Sequence, residues 1–412
     1  MPAFAALDQR CINAIRFLAA DAVEKAGVGH LGTPLGAAPM AYVLWDRFLR
    51  HDPKHPGWPD RDRFVLSCGH AALLHYALLH LTGYDLALDE FKRFRQFGSQ
   101  TPGHPEYRIT SGIEATTGPL GQGFSIAAGM AMAEAFLARR YNRPGYTLIN
   151  HHTYALVSDG DMQEGVSSEA ASLAGTLGLS NLIAFYDDND LQIEGPSDLA
   201  FHEDVAARFR AYGWRVIDDI DGQDLPAIEA GLRAALAETQ RPSLIVVRTR
   251  IGYGSPVENT AGAHHGPLGE QALRLTKKRF GWPEEPSFWV PSEVQAHMRA
   301  ALERGGAAFA DWTERLEQYR QAFPAQAKEF ERSLAGELPA GWEQNLESAL
   351  QELPQRIAPR KSSERILQRA AASLPDLIGG AADLGPSTCT YIKHESDFNA
   401  QNFAGRNLHF GV

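Results

Sequence analysis

Apolar residues gather into short, nearly unbroken runs along the first ~320 residues: Phe64-Val65-Leu66, Tyr154 to Val157, Leu182 to Tyr186, Arg215-Val216-Ile217 and Leu244 to Val247. Longer amphipathic or small-residue stretches separate them. Runs of this length without polar alternation are buried on both faces, and their spacing leaves room for crossover helices. The pattern predicts an α/β fold, a parallel sheet covered by helices on both faces. Right-handed crossovers then bring the loops after the strands to one edge of the sheet, where ligands bind in such folds.

Those loops hold the unusual residues. They are Ser67-Cys68-Gly69-His70, Ser158-Asp159-Gly160-Asp161, Asp187-Asp188-Asn189-Asp190, and Thr249 to Gly254 followed by Ala263-His264-His265-Gly266. An amphipathic helix is expected from Cys11 to Lys25. Residues 323–355 are charged and helical in pattern and read as a surface linker. A helix from Ser362 to Ser373, a strand at Leu377-Ile378-Gly379-Gly380 and a further strand opening in "NLHFGV" predict the start of a second α/β domain. The domains expected are therefore 1–322, a linker 323–355, and an incomplete unit 356–412.

Composition narrows the class. The chain has 412 residues and a net charge of −11, with no basic run longer than Lys277-Lys278-Arg279. A nucleic-acid partner is not expected. No stretch of about eighteen residues is apolar throughout, so no membrane span is expected. Cys11, Cys68 and Cys389 lie far apart and read as reduced thiols of a cytoplasmic protein.

Asp159 and Asn189 each follow a buried strand and are 30 residues apart (189 − 159). With the Leu191 carbonyl they offer three hard oxygens, which suit Mg²⁺ or Ca²⁺ and not zinc. An ordinary acidic turn is the alternative. In "TTGPLGQGFSIAAGMAMAEAF", Thr116 to Phe136, glycines precede a helix rich in small residues. Free N–H groups there could cradle a phosphate, or the turn could simply feed a tightly packed helix. His30, His70, His104 and His265 each sit beside glycine. Imidazoles in such loops suit binding of hydroxyls and proton transfer near neutral pH, although a lone loop histidine is more often only solvated.

Taken together, "GHLGTPLG", "SCGHAALLHYALLHLTGYDL", "TPGHPE", "TTGPLGQG", "SDGDMQEG", "LAGTLGLSNLIAFYDDN", "HHGPLG", "RKSS" and "GGAADLGPS" resemble the transketolase family, in family order from about residue 10 to the last residue. The resemblance implies the thiamine diphosphate-binding fold. It implies Mg²⁺ (or Ca²⁺ or Mn²⁺) on the cofactor diphosphate, held by Asp159, Asn189 and the Leu191 carbonyl. His70, Gly118, Pro119, Leu120, Gly160, Asn189, His265 and Asp383 match cofactor-contacting positions. His30, His104 and His265 match catalytic and substrate-binding positions, and Arg360 and Ser387 match a grip on the substrate phosphate. Glu164 matches a carboxylate at the interface of a homodimer.

The implied reaction moves a two-carbon ketol unit from a ketose phosphate of the xylulose 5-phosphate type to an aldose phosphate of the ribose 5-phosphate type, in the pentose phosphate pathway. Arg360 and Ser387 favour phosphorylated sugars over the acceptor of a dihydroxyacetone synthase. Three departures from the family pattern stand out. Ser158 replaces a usual Gly, and Leu31 a usual Pro, with Ala71-Ala72 after His70. The third is that the family's catalytic Glu is expected two residues beyond Val412. The alternative expectation is thus a catalytically inactive fragment that binds only metal and diphosphate.

Overall fold

The computed structural model describes residues 3–412. The chain divides into two compact units, the first comprising Met1–Ala131 and His151–Ala310, the second Met132–Asn150 and Asp311–Val412. In chain order the strands of the first unit are β1 (Arg63–Leu66), β2 (Thr153–Ser158), β3 (Leu182–Asp188), the short pair β4 (Leu191–Gln192) and β5 (Gly195–Pro196), then β6 (Arg215–Asp221) and β7 (Ser243–Arg248). Five of them form one sheet in the order β1-β2-β3-β7-β6, and every neighbouring pair is parallel. All five strands expected from the apolar runs are present, each longer than its run.

Alternation along the strands assigns the faces. Tyr154, Leu156, Ile183, Phe185, Ile245 and Val247 join one large core with helices Ala6–Ala26, Gly32–Arg47, Ala72–Thr82 and Leu225–Leu236. Ala155, Val157, Ala184 and Leu244 point the other way and are equally buried. Near that second face Trp214 packs 5.0 Å from Phe209 and 5.8 Å from Phe124, and its indole donates to the Ala171 carbonyl at 2.8 Å. Burial on both faces explains why no polar alternation marks these strands. β6 runs past its apolar triplet because a register shift between Ile217 and Ile220, with Asp219 at φ 61°, lets it keep pairing with β7 to Asp221.

The second unit carries β8 (Gly379–Ala381) and β9 (Asn407–His409), paired in parallel. β8 starts two residues later than expected. The helix after the stretch read as linker begins at Pro359, where the missing N–H of proline costs nothing. The stretch itself is not a plain linker. It forms helices Pro324–Leu334 and Trp342–Gln351, and Phe330 is fully buried, 5.1 Å from the Tyr141 ring.

Inside the first core lies His75, its ring edge-on between Phe64 at 4.8 Å and Trp45 at 5.5 Å. Neither ring nitrogen has a partner. Burial lowers its pKa to about 3. Between that value and the ordinary 6.5, the unfolded chain takes up a proton that the folded chain refuses, so this group withdraws stability as pH falls. His75→Phe should therefore lose less stability than the parent when urea unfolding midpoints at about pH 7 and about pH 5 are compared. Equal losses would remove His75 from the account of acid sensitivity.

Candidate active site

The loops after the strands meet as expected, and one carboxylate joins them. Asp161 is fully buried. Its Oδ1 accepts from the Ser67 hydroxyl at 2.6 Å and the Gly121 amide at 2.7 Å. Its Oδ2 accepts from the Ser158 amide at 2.9 Å and the Ser158 hydroxyl at 3.2 Å. Ser67 in turn accepts from the Phe124 amide at 2.9 Å. One side chain thus ties the loop after β1, the glycine-rich turn and the loop after β2. Sequence reading passed over Asp161 for its neighbour Asp159. Ser158, where the family pattern has a usual Gly, adds its hydroxyl to the junction.

Asp159, 3% exposed, heads the short helix Asp159–Gln163. Its carboxylate accepts from the Tyr186 hydroxyl at 2.5 Å and the Asn189 amide at 3.3 Å. The Asn189 side-chain amide donates to Asp187 at 3.2 Å, its oxygen accepts from the Leu191 amide at 3.1 Å, and the Thr249 hydroxyl donates to Asp187. The loops after β2, β3 and β7 are therefore one hydrogen-bonded chain around Asp159, Asn189 and Leu191. Burial is the largest cause that raises Asp159 to about 6 and Asp187 to about 7.

A cavity of about 510 Å³ opens beside this set, lined in part by His30, His70, His104, His264, Gly118, Leu120, Gly160 and Glu164. The His30 ring lies 5.2 Å from His70, 5.7 Å from His264 and 6.3 Å from His104, and His264 stacks on His70 at 5.2 Å. His265 is exposed, with its ring 6.4 Å from His30, about as near as that of His104. His264, its neighbour in "HHGPLG", lines the cavity too, and one backbone turn presents both rings to His30. Close packing makes the turn possible: a Cβ on Gly32 would fall 2.4 Å from Ile251 and 2.6 Å from the Ala263 carbonyl.

Burial lowers the pKa of His30 to about 4, and burial is also the first cause that lowers His70, His104 and His264. All four are neutral imidazoles near pH 7, able to donate at one nitrogen and accept at the other. Pro119 sits in the glycine-rich turn between Gly118 and Leu120. Glu164 is exposed at the C-terminal end of Asp159–Gln163, beside Val166 at 40% exposure. The other three site residues lie in the second unit. Arg360 is exposed on helix Pro359–Ser373, and Ser387 is on the short helix Gly385–Thr388. Asp383, at φ 63°, lines a separate cleft of about 440 Å³ with Lys361, Cys389 and His409.

Residues 7–339 match the family model described as "Transketolase, thiamine diphosphate binding domain". The chain belongs to the transketolase family. It is 50% identical over 408 residues to a transketolase of Geobacillus stearothermophilus, covering 98% of this chain and 61% of that protein. A Nostoc transketolase is 51% identical over 409 residues, with the same coverage. The solved transketolase of Leishmania mexicana superposes with TM-score 0.95 at 42% identity, covering 100% of this chain and 61% of that one. A Pichia stipitis transketolase solved as a complex with sedoheptulose-7-phosphate superposes equally well, at 42% identity over 99% of this chain and 61% of its own. The chain thus spans about 61% of the length of these relatives.

The residues present suit a thiamine diphosphate and a divalent cation. The metal-side donors are hard oxygens, and two buried carboxylates whose pKa values burial raises lack a compensating cation among the described residues. On the diphosphate side, a Cβ on Gly69 would fall 2.7 Å from the Gly118 amide, so the two backbones meet without side chains between them. The Thr117 hydroxyl, His30 Nδ1 and His264 Nδ1 are buried without a partner.

Removing the junction should cost stability. Asp161→Ala leaves two buried amides and two hydroxyls without their acceptor, a loss of about 3 kcal/mol or more, measurable by urea unfolding. An unchanged midpoint would deny Asp161 that role. At the histidine pair, His264→Ala should weaken thiamine diphosphate binding roughly tenfold, the worth of about one hydrogen bond. His265→Ala should weaken it as well, and calorimetric titration of the two variants reads both losses directly.

Proposed function

We propose that the first unit holds thiamine diphosphate and Mg²⁺ (Ca²⁺ or Mn²⁺ would also suit) for transfer of a two-carbon ketol unit between sugar phosphates. The observation that carries this reading is the convergence of Asp159, Asn189 and Leu191 on the cavity that His30, His70, His104 and His264 share. In this reading Asp159, the Asn189 side chain and the Leu191 carbonyl bind the cation, and Gly118, Pro119, Leu120 and Gly160 leave the diphosphate room beside it. When bound, the cofactor supplies the carbanion chemistry of the reaction. The chain's own residues bind, orient and move protons. His30 and His104, held neutral by burial, and His265 beside them meet the sugar hydroxyls as donors and acceptors, and His264 lines the same cavity. Cavity walls that bury these groups also exclude water from the reacting atoms.

The finer assignments are proposals of the same kind. The donor is a ketose phosphate of the xylulose 5-phosphate type and the acceptor an aldose phosphate of the ribose 5-phosphate type, as the pentose phosphate pathway requires. The Pichia relative's sugar-phosphate complex supports that class of substrate. Arg360 and Ser387 grip the phosphate, suited by a fork of donors and a hydroxyl, and Asp383 faces the cofactor. Glu164 pairs across a homodimer interface in the cytoplasm, where its exposure beside Val166 and Ile126, 40% and 37% exposed, leaves it available. Domain limits of 1–322 and 356–412 around helices 323–355 complete the proposal.

Asp159→Ala should abolish Mg²⁺-dependent thiamine diphosphate binding, followed by calorimetry with and without a chelator. Retained binding at unchanged metal concentration would sink the ligand assignment. The same preparation in a coupled assay with xylulose 5-phosphate and ribose 5-phosphate separates two readings. Turnover assigns ketol transfer to this chain, and binding without turnover assigns it the cofactor-holding part alone.

A further inference from the structure

Arg95 has no part in the site as described, yet its surroundings are unusual. Its backbone is left-handed, φ 63°, a conformation that costs a residue with a Cβ about 1 kcal/mol or more. Its amide donates to the Thr101 carbonyl at 3.0 Å and closes the intervening loop. The guanidinium lies flat on Gly103, where a Cβ would come 2.8 Å from its Nε and 3.0 Å from its Cζ. Gly103 immediately precedes His104. From the other side Tyr76 fixes the same turn, its hydroxyl donating to the carbonyls of Pro102 at 3.0 Å and His104 at 3.2 Å. Arg95 Nε is buried without a partner, and among the described residues no carboxylate pairs with the guanidinium. Its ring neighbour is Phe94, at 5.6 Å. By contrast Arg61 pairs with Glu114 at 2.7 Å.

We infer that Arg95 is a positioning residue of this site: its guanidinium seats the Gly103–His104 turn and holds a fixed, unpaired positive charge beside the His104 and His30 imidazoles. The inference rests on the proposed role of those two histidines toward substrate hydroxyls. Burial acts first on both, and Arg95 is the charged group that faces His104. His30 faces His264, Arg95, His104 and His265, none of them an acid. His70 completes the cluster, facing His264, His30 and His104. A neutral imidazole can take a hydroxyl proton, and an imidazolium cannot. An unpaired cation beside the cluster therefore extends its basic form to lower pH, which a salt-bridged arginine would not do.

The test follows His104 and His30 by NMR titration in the full chain, with ¹³C-labelled histidine assigned through His104→Gln and His30→Gln. It needs no turnover, so its failure is separate from failure of the ketol-transfer reading. Arg95→Met and Arg95→Gln should raise the His104 titration midpoint by roughly one pH unit, and that of His30 by less. Arg95→Lys, which keeps the charge, should restore the parent midpoint. A purely structural role would disturb all three variants alike. A midpoint that stays put in Arg95→Met and Arg95→Gln, or that moves equally in Arg95→Lys, would overturn the inference.

Discussion

One buried carboxylate sets the geometry on which the site depends. Asp161 collects hydrogen bonds from Ser67, Gly121 and Ser158, residues that belong to three different loops at one edge of the sheet. A charge with no exposed surface survives only when its lone pairs are filled, and four donors fill them. The loops therefore cannot move apart singly. The same clamp sets the start of helix Asp159–Gln163 and so the direction of Asp159, and it seats the glycine-rich turn opposite. The parallel sheet delivers the loops to one edge, and this junction turns that proximity into a fixed cavity wall.

On that wall the electrostatics divide into two halves. The acidic half, Asp159 and Asp187 with the Asn189 amide between them, has been dehydrated past what carboxylates bear without a counter-ion. The imidazole half is dehydrated as well, but dehydration there only removes charge. A ligand that brings a cation with its diphosphate meets the demand of the acidic half. The net charge of −11 belongs to the surface at large and says little about this pocket.

Much of this was legible in the sequence for physical reasons. Strands buried on both faces must be apolar throughout, so all five showed as runs, and the loops after them were found by counting outward. Asp159 and Asn189 stood out through the family motifs around them, since an acidic turn after a strand is ordinary on its own. Asp161 was hidden because its partners are two backbone amides and two serine hydroxyls, which no spacing rule marks. His264 carried no signal of its own beside His265, and its place in the cavity wall came only from the turn that packs Gly32 against Ile251 and Ala263. Phe330 and its helix read as linker because one buried ring among charged residues is too weak a period to register. Arg95 was invisible for a related reason, as an arginine's lack of a partner is a fact of three dimensions.

The most direct measurement is a crystal of this chain grown with thiamine diphosphate and Mn²⁺, with the anomalous signal used to place the metal. The expected result is a peak bonded to an Asp159 carboxylate oxygen, the Asn189 side-chain oxygen and the Leu191 carbonyl, with diphosphate density between it and Gly118 to Leu120. A peak elsewhere, or a diphosphate bound away from the histidine cavity, would contradict the assignment of this sheet edge as the cofactor site.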